Sequence, residues 1–146
     1  MVLPINGQGA LDLSVVLPTY NEAENIAGVL EQLQGCLDGV AGLTYEIIVV
    51  DDDSPDLTWA MAQEIAEKSS RIRVVRRQAE RGLSTAVIRG WQIARGKTLG
   101  VMDADLQHPP EVTVQLWKEM ARGADLAVAS RHVKGGGVSD WSVARR

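Results

Sequence analysis

A chain of 146 residues with 45% hydrophobic and 23% charged side chains is long enough to bury one core unaided, and too apolar to stay disordered. It holds a single cysteine, no run of about 18 apolar residues and no basic start leading into a long apolar core, which argues against a disulfide scaffold, a membrane span and export by a signal peptide. The net charge of −4 hides an acidic first part, −11 over residues 1–70, and a basic second part, +7 over residues 71–146, which suits either a basic face for an anionic ligand or membrane surface, or ordinary solvated charge.

Residues 1–11 read as an N-terminal extension, and residues 12–146 as one catalytic domain. Asp12 to Leu17 predicts a buried strand closed by Pro18. Asn21, with Glu24 three residues on, has the pattern of a capping box, and Ile26, Val29, Leu30, Leu33 and Leu37 form one face of the helix that follows. Cys36 lies beside those apolar positions and reads as a small core residue. Tyr45 to Val50 predicts a second strand. It ends in the acidic turn Asp51-Asp52-Asp53-Ser54-Pro55-Asp56, before a helix from about Leu57 to Lys68. By itself that turn also reads as a plain helix start, with Ser54 as N-cap and Pro55 at the first helical position. Ile72 to Val75 is a third strand, Leu83 to Arg95 a helix stopped by Gly96, and Thr98 to Met102 a fourth strand. Pro109 and Pro110 open a fourth helix that ends at Gly123. Asp125 to Ser130 predicts a fifth strand, followed by a loop at Gly135, Gly136 and Gly137 and a helix from near Ser139.

Such alternation predicts an α/β layer structure with a mainly parallel sheet, whose ligands bind beyond the carboxyl ends of the strands. Those ends read Pro18 to Glu22, Asp51 to Asp53, Asp103 to Asp105, and Ser130-Arg131. The first strand-to-helix turn, PTYNEAEN, has no glycine, which excludes the Rossmann fingerprint for NAD, and no phosphate-binding P-loop sequence occurs. The histidines lack zinc-ligand spacing, and no Ser/His/Asp order is present.

Asp103 and Asp105 are one residue apart, so in extended backbone their carboxylates project to the same side. That pairing suits magnesium or manganese, which takes one or two carboxylates and completes its shell with water and phosphate oxygens. Gln107 can add a neutral oxygen from the same side, whereas the His108 imidazole matches magnesium poorly. Aspartate pairs also arise as helix caps and turns, and that reading stays open on spacing alone.

Five stretches taken together, SVVLPTYNEAENI, EIIVVDDDSPDLTW, RGLSTAVIRGW, VMDADLQHPPE and SRHVKGGGVSDW, closely resemble the dolichol-phosphate (polyprenyl-phosphate) mannosyltransferase branch of the family 2 glycosyltransferases. The resemblance runs from about residue 12 to the last residue. It implies a GT-A fold, a nucleotide-sugar donor with GDP-mannose favoured, a polyprenyl phosphate acceptor, and Mg2+ or Mn2+. It also implies peripheral association with the cytoplasmic face of a membrane, with no nucleic acid as partner. By motif position Pro18, Tyr20, Glu22, Val50 and Asp52 line the nucleotide pocket, with Asp51 an alternative to Asp52 as the base-binding carboxylate. Asp103 and the Ala104 backbone meet ribose or phosphate, Asp105 and Gln107 coordinate the metal, and Arg131 and Arg145 receive the acceptor's phosphate. Asp103, Asp105 and Arg131 are thereby the expected catalytic residues.

Members of that family continue well beyond WSVARR, so the chain is expected to be an N-terminal catalytic portion of a longer protein. Two other readings remain: transfer of glucose or N-acetylglucosamine from a UDP donor to undecaprenyl phosphate, and donor binding without turnover.

Overall fold

A computed structural model describes residues 10–130. Four strands, β1 (Leu11–Thr19), β2 (Tyr45–Asp51), β3 (Ile72–Arg76) and β4 (Gly96–Val101), alternate with four helices, α1 (Ile26–Asp38), α2 (Thr58–Glu67), α3 (Leu83–Ile93) and α4 (Pro110–Ala121). The strands form one sheet in the order β3-β2-β1-β4, and each neighbouring pair is parallel. Strand order reverses direction between β1 and β4, so the crevice at their carboxyl ends is the topological switch point where such sheets take ligands.

Alternation along the two central strands sorts side chains to opposite faces. Leu13, Val15, Leu17, Tyr45, Ile47 and Val49 join the core that holds the apolar face of α1, with Val114 and Trp117 of α4 packed against it. Val16, Ile48 and Val50 face the other way, onto Ala86, Ala94 and Trp91. Close approach fixes two glycines here. A Cβ on Gly90 would lie 2.6 Å from Val16 Cγ1, and one on Gly96 would lie 2.4 Å from the Ser14 backbone nitrogen. Beside Gly96, the buried Glu46 carboxylate accepts hydrogen bonds from Ser14 Oγ, the Arg95 amide and Arg73 Nε.

Several local expectations need correction. Asn21 is not the N-cap of α1, which starts at Ile26 behind Asn25 without a side-chain cap. The amides of Asn21, Glu22 and Ala23 are taken by Ser54 Oγ, Thr58 Oγ1 and Asp56 Oδ2, so long-range partners replace the local capping box. Ser54 likewise does not cap α2, whose N-cap is Leu57 at φ 64°. Helix α3 ends at Ile93 rather than running to Gly96, which is the first residue of β4. Asp125 to Ser130 is not a strand, and Leu126 and Val128 are exposed; alternation supplies a face, but a strand also needs a hydrogen-bonding neighbour. The glycine loop at 135–137 and the helix expected near Ser139 lie outside the described residues.

The split in charge has a structural outlet. Arg71, Arg73, Arg76 and Arg77, on or beside β3, pair with Asp38, Glu46, Asp53 and Asp52. Cations of the second part thus neutralise anions of the first across β2 and β3.

Candidate functional site

The period-two rule that sorts the core also separates the neighbouring aspartates at the end of β2. Asp51 is fully buried, accepting from Thr19 Oγ1, the Ser54 amide and Ser54 Oγ at 2.6–2.8 Å. Its oxygens tie the β2–α2 turn to β1. Asp52 points the other way, where Oδ1 accepts from Arg77 Nε at 2.7 Å and Oδ2 from the Gly82 amide at 2.8 Å. A cleft of about 320 Å³ opens beside it, lined by Pro18, Thr19, Tyr20, Asp52, Arg81, Gly82, Leu83 and Ala86. The Arg81 guanidinium lies 5.8 Å from the Tyr20 ring centroid, within cation–π range.

Tyr20, half-exposed, and Glu22 are carried by a loop whose backbone is held by the β2–α2 turn. Asp56 accepts from the Ala23 amide and from the Thr58 amide and hydroxyl. Burial pulls the Asp56 carboxyl up, but those hydrogen bonds outweigh it and hold the group below its ordinary value. Glu22 behaves in the opposite way. Burial raises it, and the charges of Asp105, Asp56 and Asp103 add to the rise against the hydrogen bond from Asn25. Electrostatically, then, Glu22 belongs with the acidic pair after β4.

In that pair, Asp103 and Asp105 are joined by His108, whose Nδ1 lies 3.6 Å from Asp103 Oδ2 and 3.6 Å from Asp105 Oδ1. One potential ligand atom from each of the three lies within 4.8 Å of the others. Two hard carboxylates and an imidazole can hold a divalent ion, the carboxylates suiting Mg2+ or Mn2+ and the imidazole matching Mg2+ poorly. Ala104, between the aspartates, is buried in the main core, which anchors the turn while the Asp103 and Asp105 side chains remain 49% and 37% exposed. Gln107 is exposed, and its backbone N–H donates to Asp105 Oδ1 at 3.0 Å.

Of the residues expected at the site, Pro18, Tyr20 and Asp52 therefore meet in the cleft, and Asp103 and Asp105 meet beside Glu22. Val50 is fully buried, with its side chain among the residues packed on α3. Arg131 and Arg145 lie outside the described residues. Arg81 and Gly82, within the stretch RGLSTAVIRGW, line the cleft, Arg77 lies behind Asp52, and none of the three has a role assigned from the sequence. Cys36 is half-buried, with its thiol pushed up by burial and by Glu111, consistent with a packing role.

Residues 14–146 match the model of the family described as Glycosyl transferase family 2. A dolichol-phosphate mannosyltransferase of Pyrococcus furiosus is 50% identical over 136 residues, covering 93% of this chain and 38% of that protein. A polyprenol monophosphomannose synthase of Mycolicibacterium smegmatis is 40% identical over 87% of this chain and 48% of its own length. A dolichol-phosphate mannosyltransferase of Saccharomyces cerevisiae is 35% identical, over 94% and 51% respectively. The chain spans about half, or less, of the length of these relatives. Among solved structures, a mannosyltransferase from Pyrobaculum calidifontis in complex with GDP-Man and Mn2+ is 28% identical with a TM-score of 0.57, over 66% of this chain and 28% of that one. Its sheet and the one described here share the GT-A arrangement expected from the motifs. With its parallel sheet, its polar rim and a family match from Ser14 onward, this chain belongs to glycosyl transferase family 2.

Proposed function

We propose that the chain is the donor-binding part of a mannosyltransferase that moves mannose from GDP-mannose to a polyprenyl phosphate. The observation that carries this reading is the pairing of a base-sized cleft at Asp52 with a carboxylate–imidazole cluster on the same rim. Relatives named for dolichol-phosphate or polyprenol mannosyl transfer support it.

Tyr20 and Asp52 hold the base, with Pro18 and the Val50 backbone beneath it. Asp103 and the Ala104 backbone meet ribose or phosphate, and Asp103, Asp105 and His108, with Gln107 as a further oxygen, would hold Mg2+ or Mn2+. When bound, the ion offsets negative charge on the departing diphosphate. Glu22 lies close enough to Asp105 and Asp103 to feel their charge, and it sets the electrostatic environment of that cluster. Arg131 and Arg145 orient the acceptor phosphate, for which a planar, always-charged guanidinium is suited. A phosphate oxygen is already anionic, so it attacks the anomeric carbon without a strong general base. Direct displacement inverts the anomeric configuration.

The lipid acceptor brings the site to a membrane surface, on its cytoplasmic face. Among the described residues no helix is long and apolar enough to cross a membrane. Four arginines of the basic second part are paired within the fold, so that part offers an anionic surface less charge than its count suggests.

Incubation with GDP-mannose, UDP-glucose or UDP-N-acetylglucosamine, a polyprenyl phosphate and Mn2+ or Mg2+ tests the reading. A β-linked mannosyl lipid formed from GDP-mannose is expected. Product from a UDP donor alone would move the assignment to another sugar, and metal-dependent nucleotide binding without product would leave a donor-binding module. A product that retains the anomeric configuration would overturn direct displacement.

A further inference from the structure

The geometry points to Arg77 as a positioning residue that fixes the base preference of the cleft by locking Asp52 and the Gly82 turn into one rigid wall. This rests on the donor reading above, and it adds a residue that does not itself line the cleft.

Arg77 is 7% exposed and follows the last residue of β3. Its backbone amide donates to the Asp51 carbonyl at 2.7 Å, which sets the start of the side chain against the end of β2. From there Nε donates to Asp52 Oδ1 at 2.7 Å, Nη2 to the Gly82 carbonyl at 2.9 Å and Nη1 to Thr85 Oγ1 at 3.0 Å. Gly82 closes the ring by donating its amide to Asp52 Oδ2 at 2.8 Å. Gly82 sits at φ 124°, a conformation that side-chain-bearing residues avoid, so a glycine is needed where this ring closes.

The consequence is that both oxygens of Asp52 are oriented from behind. A carboxylate oxygen has about two acceptor sites, so each keeps one for the cleft. Two acceptors held side by side match guanine, whose pairing edge presents a ring N–H and an amino group together. Uracil presents one N–H there. A fixed pair of acceptors therefore favours guanine, while a carboxylate free to rotate serves either base. Arginine is suited to this task because its planar fork reaches Asp52, Thr85, the Gly82 carbonyl and Glu80 at once, which a lysine ammonium at the same site does not reproduce.

Calorimetric titration of GDP, UDP and inorganic pyrophosphate, each with Mn2+, into the intact chain and its variants tests the inference. The intact chain is expected to prefer GDP. Arg77→Ala is expected to lower GDP affinity about tenfold while UDP and pyrophosphate change little, so that the preference collapses. Arg77→Lys should restore only part of it. A purely structural role would lower all three ligands together or leave the GDP-to-UDP ratio intact, and either result overturns the inference. If Arg77→Ala fails to fold, Arg77→Lys and Thr85→Val carry the test: a reduced ratio supports the inference and an unchanged ratio in both rejects it. An intact chain that prefers UDP or binds neither nucleotide overturns the donor reading itself, a failure visible before any variant is made.

Discussion

The acidic turn after β2 and the acidic turn after β4 face the same rim, yet their carboxylates are used differently. Asp51, Asp52, Asp53 and Asp56 are each held by hydroxyls, amides or arginines of neighbouring elements. They cross-link the loops that carry Tyr20, Glu22 and Gly82. Asp103 and Asp105 instead converge on each other and on His108, with side chains about half-exposed. Carboxylates placed close together with solvent access repel one another until a cation joins them. A buried carboxylate ringed by donors gains its stabilisation from the fold alone. Acidic residues at strand ends are thus ambiguous as a class, and their partners decide which are scaffold and which are chemistry.

Exchanging the roles by mutation is the strongest way to break this contrast. Asp51→Ala leaves two hydroxyls and an amide without their acceptor, and is expected to cost about 3 kcal/mol of stability, read from urea denaturation with the intact chain as reference. If its midpoint stays put, the turn after β2 is not the scaffold described. Asp105→Ala is expected to do the reverse, leaving the denaturation midpoint nearly unchanged while lowering Mn2+-dependent nucleotide affinity by about 10- to 100-fold. Equal affinity with and without Mn2+ in the intact chain would remove the distinction.

A smaller effect sharpens the boundary between the turns. Glu22 has its folded value raised by burial and then by the Asp105, Asp56 and Asp103 charges. Below the ordinary carboxylate range it is protonated in both folded and unfolded chains and contributes nothing to the difference. As pH rises through the raised value, the ionised form costs the folded state stability. Glu22→Gln should therefore raise the melting temperature at neutral pH and leave it unchanged in strong acid. Adding Mn2+ should narrow the neutral-pH difference, because a nearby cation favours the ionised carboxylate. A difference indifferent to Mn2+ would separate Glu22 from the cluster.

Much of this was legible in the chain itself. The apolar positions Ile26, Val29, Leu30, Leu33 and Leu37, read from spacing, are the buried residues of α1, because helical periodicity is a property of the segment alone. Asp51 and Asp52 stayed interchangeable in the sequence, and the fold turns Asp52 rather than Asp51 to the cleft. What spacing could not supply was any partner brought from afar. Asn21 and Ser54 look like helix caps until Ser54 Oγ takes the Asn21 amide from across the sheet. His108 looks unsuited to the metal until the turn at Leu106, φ 63°, folds its ring back towards both aspartates. Arg77 carries no motif at all, and only its burial beside Asp52 marks it out.

The pairing of β3 with β2 also bears on the order in which the chain is made. Synthesis runs from the amino end, and domains begin to fold as they emerge. Residues 1–70 carry −11, and the arginines that pair with Asp38, Glu46, Asp53 and Asp52 follow them in synthesis. Arg71 to Arg77, made within a few residues of one another, bring opposite charge to four of those acidic groups. The cleft wall at Asp52 is consequently complete only once β3, Arg77 and the Gly82 turn have all been made.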